Sequence, residues 1–117
     1  MAVGLLVLPF WAHAQTVQNP TRVEFDLSVD HDRVTRYELS VVNLATGATI
    51  QTLDLGLPDD PDGDGRVDVA INMQPIAFGT YVAVARAYAA DVVGPDSDPS
   101  NVWERVPGRP GGVLLRP

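Results

Sequence analysis

The chain is predicted to be all-β, an antiparallel sandwich of six or seven short strands. Three observations predict it. Apolar residues recur at every second position in several short runs, clusters of Gly, Pro, Asp and Asn separate those runs, and no window sustains the i, i+3, i+4, i+7 spacing of an amphipathic helix. At 117 residues, 45% hydrophobic and 20% charged, the chain has room for one domain with a modest core.

A weak first strand is expected within "TVQNPTR". Val23, Phe25, Leu27 and Val29 then alternate with Glu24, Asp26 and Ser28, which predicts a strand with one buried and one wet face. After the polar break "DHDRVTR", Tyr37, Leu39 and Val41 repeat the pattern. "LATGAT" supplies a turn with Gly47 where positive φ is needed, and "IQTLDLG" returns as the second arm of a hairpin. Beyond an aspartate-rich stretch, Val67, Val69, Ile71 and Met73 alternate with Asp68 and Asn72.

Residues 81–89, "YVAVARAYA", are apolar in both registers: Tyr81, Ala83, Ala85 and Ala87 on one face, Val82, Val84 and Tyr88 on the other. Such a strand lies centrally in its sheet, or its outer face meets a partner. "VVGPDSDPS" reads as a loop and "NVWERV" as the last strand. Residues 107–117, "PGRPGGVLLRP", lack any period and read as a flexible tail.

Residues 1–14 read as a signal peptide. The apolar run Val3 to Trp11 is too short to span a bilayer, and Ala12 and Ala14 in "AHA" fit a signal-peptidase site. No Lys or Arg precedes the run, and the competing reading is an N-terminal strand. Cleavage after Ala14 would give a secreted or periplasmic domain over residues 15–106, preceding the tail. No cysteine is present, so disulfides, thiolate metal sites and a lipidated cysteine are excluded. The net charge of −7, with arginine as the sole base, repels phosphate backbones and argues against a nucleic-acid partner. No later segment reaches transmembrane length, so membrane insertion is not expected.

"IAFGTYVAVARAYA" carries Ile76, Gly79, Thr80 and Tyr81, followed by Ala83, Ala85 and Ala87 at alternate positions, and "GPDSDPSN" ends in Ser100 and Asn101. These segments resemble the end of a fibronectin type III domain, and the resemblance covers roughly residues 20–106. Phe25 stands in place of that family's usual tryptophan, and Phe78 where a proline often sits. The resemblance implies an immunoglobulin-like sandwich in which the Tyr81 ring is buried and its hydroxyl caps a backbone group of the preceding turn. It also implies a module that spaces, adheres or binds.

Chemistry is sparse. His31, between Asp30 and Asp32, is the one histidine of the expected mature chain and reads as a solvated loop residue. No phosphate-binding loop, zinc-ligand spacing or dinucleotide motif occurs. The function expected is therefore non-enzymatic: adhesion, spacing or protein interaction, with the protein or glycan partner unidentified. One rival is a carbohydrate-binding module using Tyr88 and Trp103 as exposed aromatics, unless Trp103 covers the core edge. A second is a small hydrolase, which requires Asp30, His31 and a further carboxylate to converge.

In "PDDPDGDGRVDV", Asp60, Asp62, Asp64 and Asp68 occupy positions 1, 3, 5 and 9 of a calcium-loop pattern, with Gly65 at position 6. This spacing resembles the calcium loops of EF-hands, dockerins and thrombospondin type 3 repeats, although Ile71 stands at position 12 where an EF-hand needs glutamate. A weak calcium site is one reading, and no other cofactor is called for. The other is a plain strand connection, for which Asp, Gly and Pro are the ordinary residues.

Overall fold

The computed structural model describes residues 16–117; the expected leader, residues 1–14, lies outside the described residues. Among the described residues, the regular elements are strands, joined by one 3-10 turn at His31–Arg33. In chain order they are β1 (Val17–Gln18), β2 (Arg22–Asp26), β3 (Arg36–Asn43), β4 (Thr49–Gly56), β5 (Arg66–Ala70), β6 (Gly79–Ala89), β7 (Val92–Val93) and β8 (Trp103–Arg105). The large sheet runs β1-β8-β6-β3-β4, with β7 also paired to β6, and β2 and β5 form a second sheet of two strands. This is the expected all-β sandwich. The described residues form eight strands, where six or seven were expected, and the large sheet is mixed, because β1 runs parallel to β8.

Alternation positions the core. Tyr37, Leu39 and Val41 of β3 lie opposite Ala87, Ala85 and Ala83 of β6, so these six share the inner face. Val23 and Phe25 of β2 pair with Val69 and Val67 of β5 and pack down onto them. A second core cluster, of Val41, Met73, Ile76, Tyr81 and Trp103, continues the first, and Leu53 and Ile71 pack against both. On the wet face of the small sheet, Arg22 bonds Asp68 at 2.7 Å and Arg66 bonds Asp26 at 2.8 Å. That ladder keeps the charged side chains outside and fixes which face is buried.

One residue of the predicted pattern departs from it. Val29 is 98% exposed instead of lying on the buried face with Val23, Phe25 and Leu27. The cause is local. The Ser28 hydroxyl accepts the Asp30 N–H and the Ser28 carbonyl accepts the His31 N–H, so the backbone turns away before residue 29. β6, apolar in both registers, lies centrally in its sheet, flanked by β3 on one side and by β7 and β8 on the other. Gly47 adopts φ 73°, as the β3–β4 turn requires.

Tyr81 is 2% exposed, and its hydroxyl donates to the Ala77 carbonyl at 2.7 Å. A Cβ at residue 79 would lie 3.0 Å from that hydroxyl, so glycine is what leaves room for the ring. Tyr81→Phe is expected to lower stability by about 1 kcal/mol, the usual worth of one lost hydrogen bond. Gly79→Ala should cost about 1–2 kcal/mol by forcing the ring to shift. Urea unfolding with an unchanged m-value checks both.

Candidate functional site

Pairing of β3 with β6 sets rows of side chains across the outer face of the large sheet. Arg36 lies opposite Tyr88, Glu38 opposite Arg86, Ser40 opposite Val84 and Val42 opposite Val82. Val93 of β7 extends the first row beside Tyr88. These residues lie on regular strands, so their spacing is set by the backbone ladder rather than by a loop.

The first two rows form a network. The Arg36 guanidinium sits 3.8 Å from the Tyr88 ring centroid, a cation–π contact. The Tyr88 hydroxyl donates to Glu38 Oε1 at 3.0 Å. Arg86 Nη2 donates to Ser40 Oγ at 2.6 Å, and its Nε lies 3.6 Å from Glu38 and 3.5 Å from Asp96. Arg86 closes over Ser40, which is fully buried although it belongs to the outward-facing row. The Glu38 side chain is 15% exposed, low for a carboxylate on an open sheet face.

Beside this charged cluster, Val42, Val82 and Val84 are half-buried and Val93 is 46% exposed. The surface therefore offers a fixed tyrosine–arginine pair next to a strip of valines. Aromatic and arginine side chains held in one rotamer lose little entropy on binding, which is why such groups dominate protein interfaces.

The sequence candidates fall elsewhere. Asp60 Oδ2 accepts the Gly65 N–H at 2.8 Å and Asp64 Oδ1 accepts the Arg66 N–H at 3.0 Å, so both serve their own loop. Asp62 is exposed, and Asp68 faces Arg22 on the neighbouring strand. Among the described residues, no group of three or more His, Asp or Glu side chains is gathered as for a metal ion. His31 Nδ1 pairs with the Tyr37 hydroxyl at 2.8 Å, and the two rings stack with centroids 5.7 Å apart. Its ring is spent on packing against β3 rather than aimed at a carboxylate. Trp103 is 4% exposed and packs on Tyr81 with centroids 5.0 Å apart. It is therefore a core residue and presents no face to a sugar.

Sequence reading singled out Tyr88 but missed Arg36, Glu38, Arg86 and Val93 as its neighbours. The doubly apolar register of residues 81–89 was the available signal. What it lacked was the β3–β6 register, which joins positions about fifty residues apart, such as Glu38 and Tyr88.

Burial raises the Tyr37 pKa above its ordinary value, while the Ser28 N–H bonded to its oxygen pulls the other way. The folded state thus holds this proton more tightly than the unfolded state does. The associated stability is fully present below about pH 10 and is lost as pH rises through the folded pKa. Melting midpoints should accordingly fall above about pH 10. Tyr37→Phe should melt lower at neutral pH and show a shallower alkaline fall.

Asp60→Ala should cost about 1 kcal/mol in chelator, because the Gly65 N–H loses its acceptor. The calcium reading carries a separate expectation: millimolar calcium raises the melting midpoint, and Asp62→Ala with Asp64→Ala removes the rise. Equal curves in calcium and chelator rule that reading out.

Comparison with protein-family models, with curated proteins and with solved structures found no match.

Proposed function

We propose that the chain is a non-enzymatic module of adhesion, spacing or protein interaction, secreted or periplasmic, with an immunoglobulin-like sandwich of the fibronectin type III kind. The observation that carries the interaction reading is the outer face of β3 and β6. There Arg36, Tyr88, Glu38 and Arg86 are locked to one another beside Val82, Val84 and Val93. A surface held in this way binds without first having to order its side chains.

Two further features support the family reading. The Tyr81 hydroxyl reaches back four residues to the Ala77 carbonyl, the corner geometry of immunoglobulin-like sandwiches. Ser100 sits just ahead of the last strand and caps the Ala83 N–H at 2.9 Å. The apolar run and "AHA" of residues 1–14 support export. Among the described residues, no helix is long and apolar enough to cross a membrane. With Trp103 in the core, the carbohydrate-binding alternative retains only Tyr88 of its two aromatics, and Arg36 already covers one face of that ring.

Crosslinking of the mature domain within its native envelope or extracellular fraction tests the proposal. A discrete partner should be captured by the wild type and at least about tenfold less by Tyr88→Ala, the loss of about 1.4 kcal/mol expected at an interface anchor. Melting curves confirm that the variant remains folded. Equal capture by wild type and variant would remove this face from the function.

A further inference from the structure

Among the described residues, no strand pairs with the side of β2 that faces away from β5. Leu27 N–H bonds Gly65 O and Ile71 N–H bonds Thr21 O, so residues 21, 23, 25 and 27 turn their backbone groups toward β5. The alternate residues Arg22, Glu24 and Asp26 turn theirs to the free edge. A sheet of two strands is marginal, and an unpaired edge is a template for a further strand.

A groove of about 760 Å³ runs beside that edge. Half-buried Val23, Phe25, Ala85 and Ala87 make its floor. Its far wall is the segment 94–100, which is tied to β6 by bonds from Ser97 N–H to Ala85 O and from Ser100 N–H to Ala83 O. The rim is largely acidic: Glu24, Asp26, Asp30, Asp96 and Asp98 outnumber Arg66 and Arg86.

The same chain carries a segment of complementary character. In the tail, Val113, Leu114 and Leu115 are 80%, 72% and 88% exposed, and the charges around them are Arg109 and Arg116 alone. The tail leaves the domain beside the start of β6, and the groove lies farther along that strand. Asn19 Oδ1 accepts the Val106 N–H at 3.0 Å and bonds Arg105 Nη1 at 3.2 Å, and Arg105 lies opposite Gly79 at the start of β6. The groove follows β6 from Ala83 to Ala89, and β1 lines the β8 edge between the two.

We propose that residues 112–116 of one copy add as a strand to the free edge of β2 in another copy, seating the alternate side chains Val113 and Leu115 on the groove floor and the arginines against its acidic rim. Donor and acceptor are different surfaces, so the contact is head-to-tail and joins copies in series, as a chain or a closed ring. The groove rim shares Arg86 and Asp96 with the outer-face network, while its floor and the β2 edge lie apart from that network.

Sedimentation of the full chain from about 10 µM to about 1 mM should show mass rising with concentration, and less so at high salt. Leu115→Asp, in the exposed tail, should weaken association at least about tenfold without changing the melting curve. Glu24→Pro removes an N–H from the free edge but none from the β2–β5 ladder, and should act likewise. The decisive arm mixes the two variants. One keeps its groove and the other its tail, so together they should form a one-to-one dimer. A chain that stays monomeric at every concentration overturns the proposal. So does an association untouched by Leu115→Asp, which would signify edge-to-edge pairing of β2, and so does a pair of variants that fails to complement while both remain folded.

Discussion

The inner face of β6 is a tyrosine followed by three alanines, and its shallowness sets how the second sheet sits. Ala83, Ala85 and Ala87 leave space above the strand, and rings from elsewhere come toward it: Phe25 from β2 and Tyr37 from β3 meet with centroids 5.2 Å apart. Small residues on one wall and large ones on the other are how a core reaches close packing without voids. At the other end of β6 the size order reverses. Tyr81 and Trp103 are the bulky pair there, and they pack with Met73 and Ile76. With no cysteine in the chain, no disulfide holds this core, and packing at these two aromatic ends holds the sheets together.

The same strand organises the polar side of the molecule. Its N–H groups at Ala83 and Ala85 have no long partner strand, because β8 reaches only as far as Trp103. Ser100 and Ser97 serve them instead through their hydroxyl oxygens, at 2.9 Å each. A proline-interrupted segment thereby satisfies a central strand that would otherwise carry unpaired donors. On the outer face the long side chains pair among themselves. Glu38 answers both Arg36 and Arg86, so the network balances its charge locally while the excess of acid lies at edges and loops.

Alternation made β2, β3 and β5 legible, because a half-buried strand leaves a period-two trace whatever its neighbours, while β4 reads as the return of a hairpin and β6 as a long run apolar in both registers. Gly47 and Tyr81 were legible too, one from its backbone freedom and one from its place after a Gly-Thr step. β7 was not. Its hairpin turns at Ala90, which holds φ 54° without the glycine or asparagine that normally betrays such a turn. Thr35 supplies the compensation, accepting the Ala90 N–H at 3.0 Å and donating to the Tyr88 carbonyl at 3.1 Å. That help comes from a residue 55 positions away, which no local window contains. Trp103 was ambiguous for a related reason. A tryptophan in a three-residue strand has no periodicity of its own, and only its pairing with Tyr81 decides which face it takes.

The aspartate-rich stretch gains its meaning from where it ends. The Asp60 carbonyl accepts the Gly63 N–H and its carboxylate accepts the Gly65 N–H, which folds the loop back on itself at two glycines of positive φ. Closed in this way, the loop presents the Gly65 carbonyl to the Leu27 N–H at 2.7 Å. That bond continues the β2–β5 ladder at its loop end, in register with the Phe25–Val67 and Val23–Val69 pairs. A slip of one residue would turn Val67 and Val69 to solvent and Asp68 into the core. In a sheet of only two strands, little else opposes such a slip. The acids of this loop therefore act on the fold through the backbone they bind, setting the register of the sheet that covers the alanines of β6.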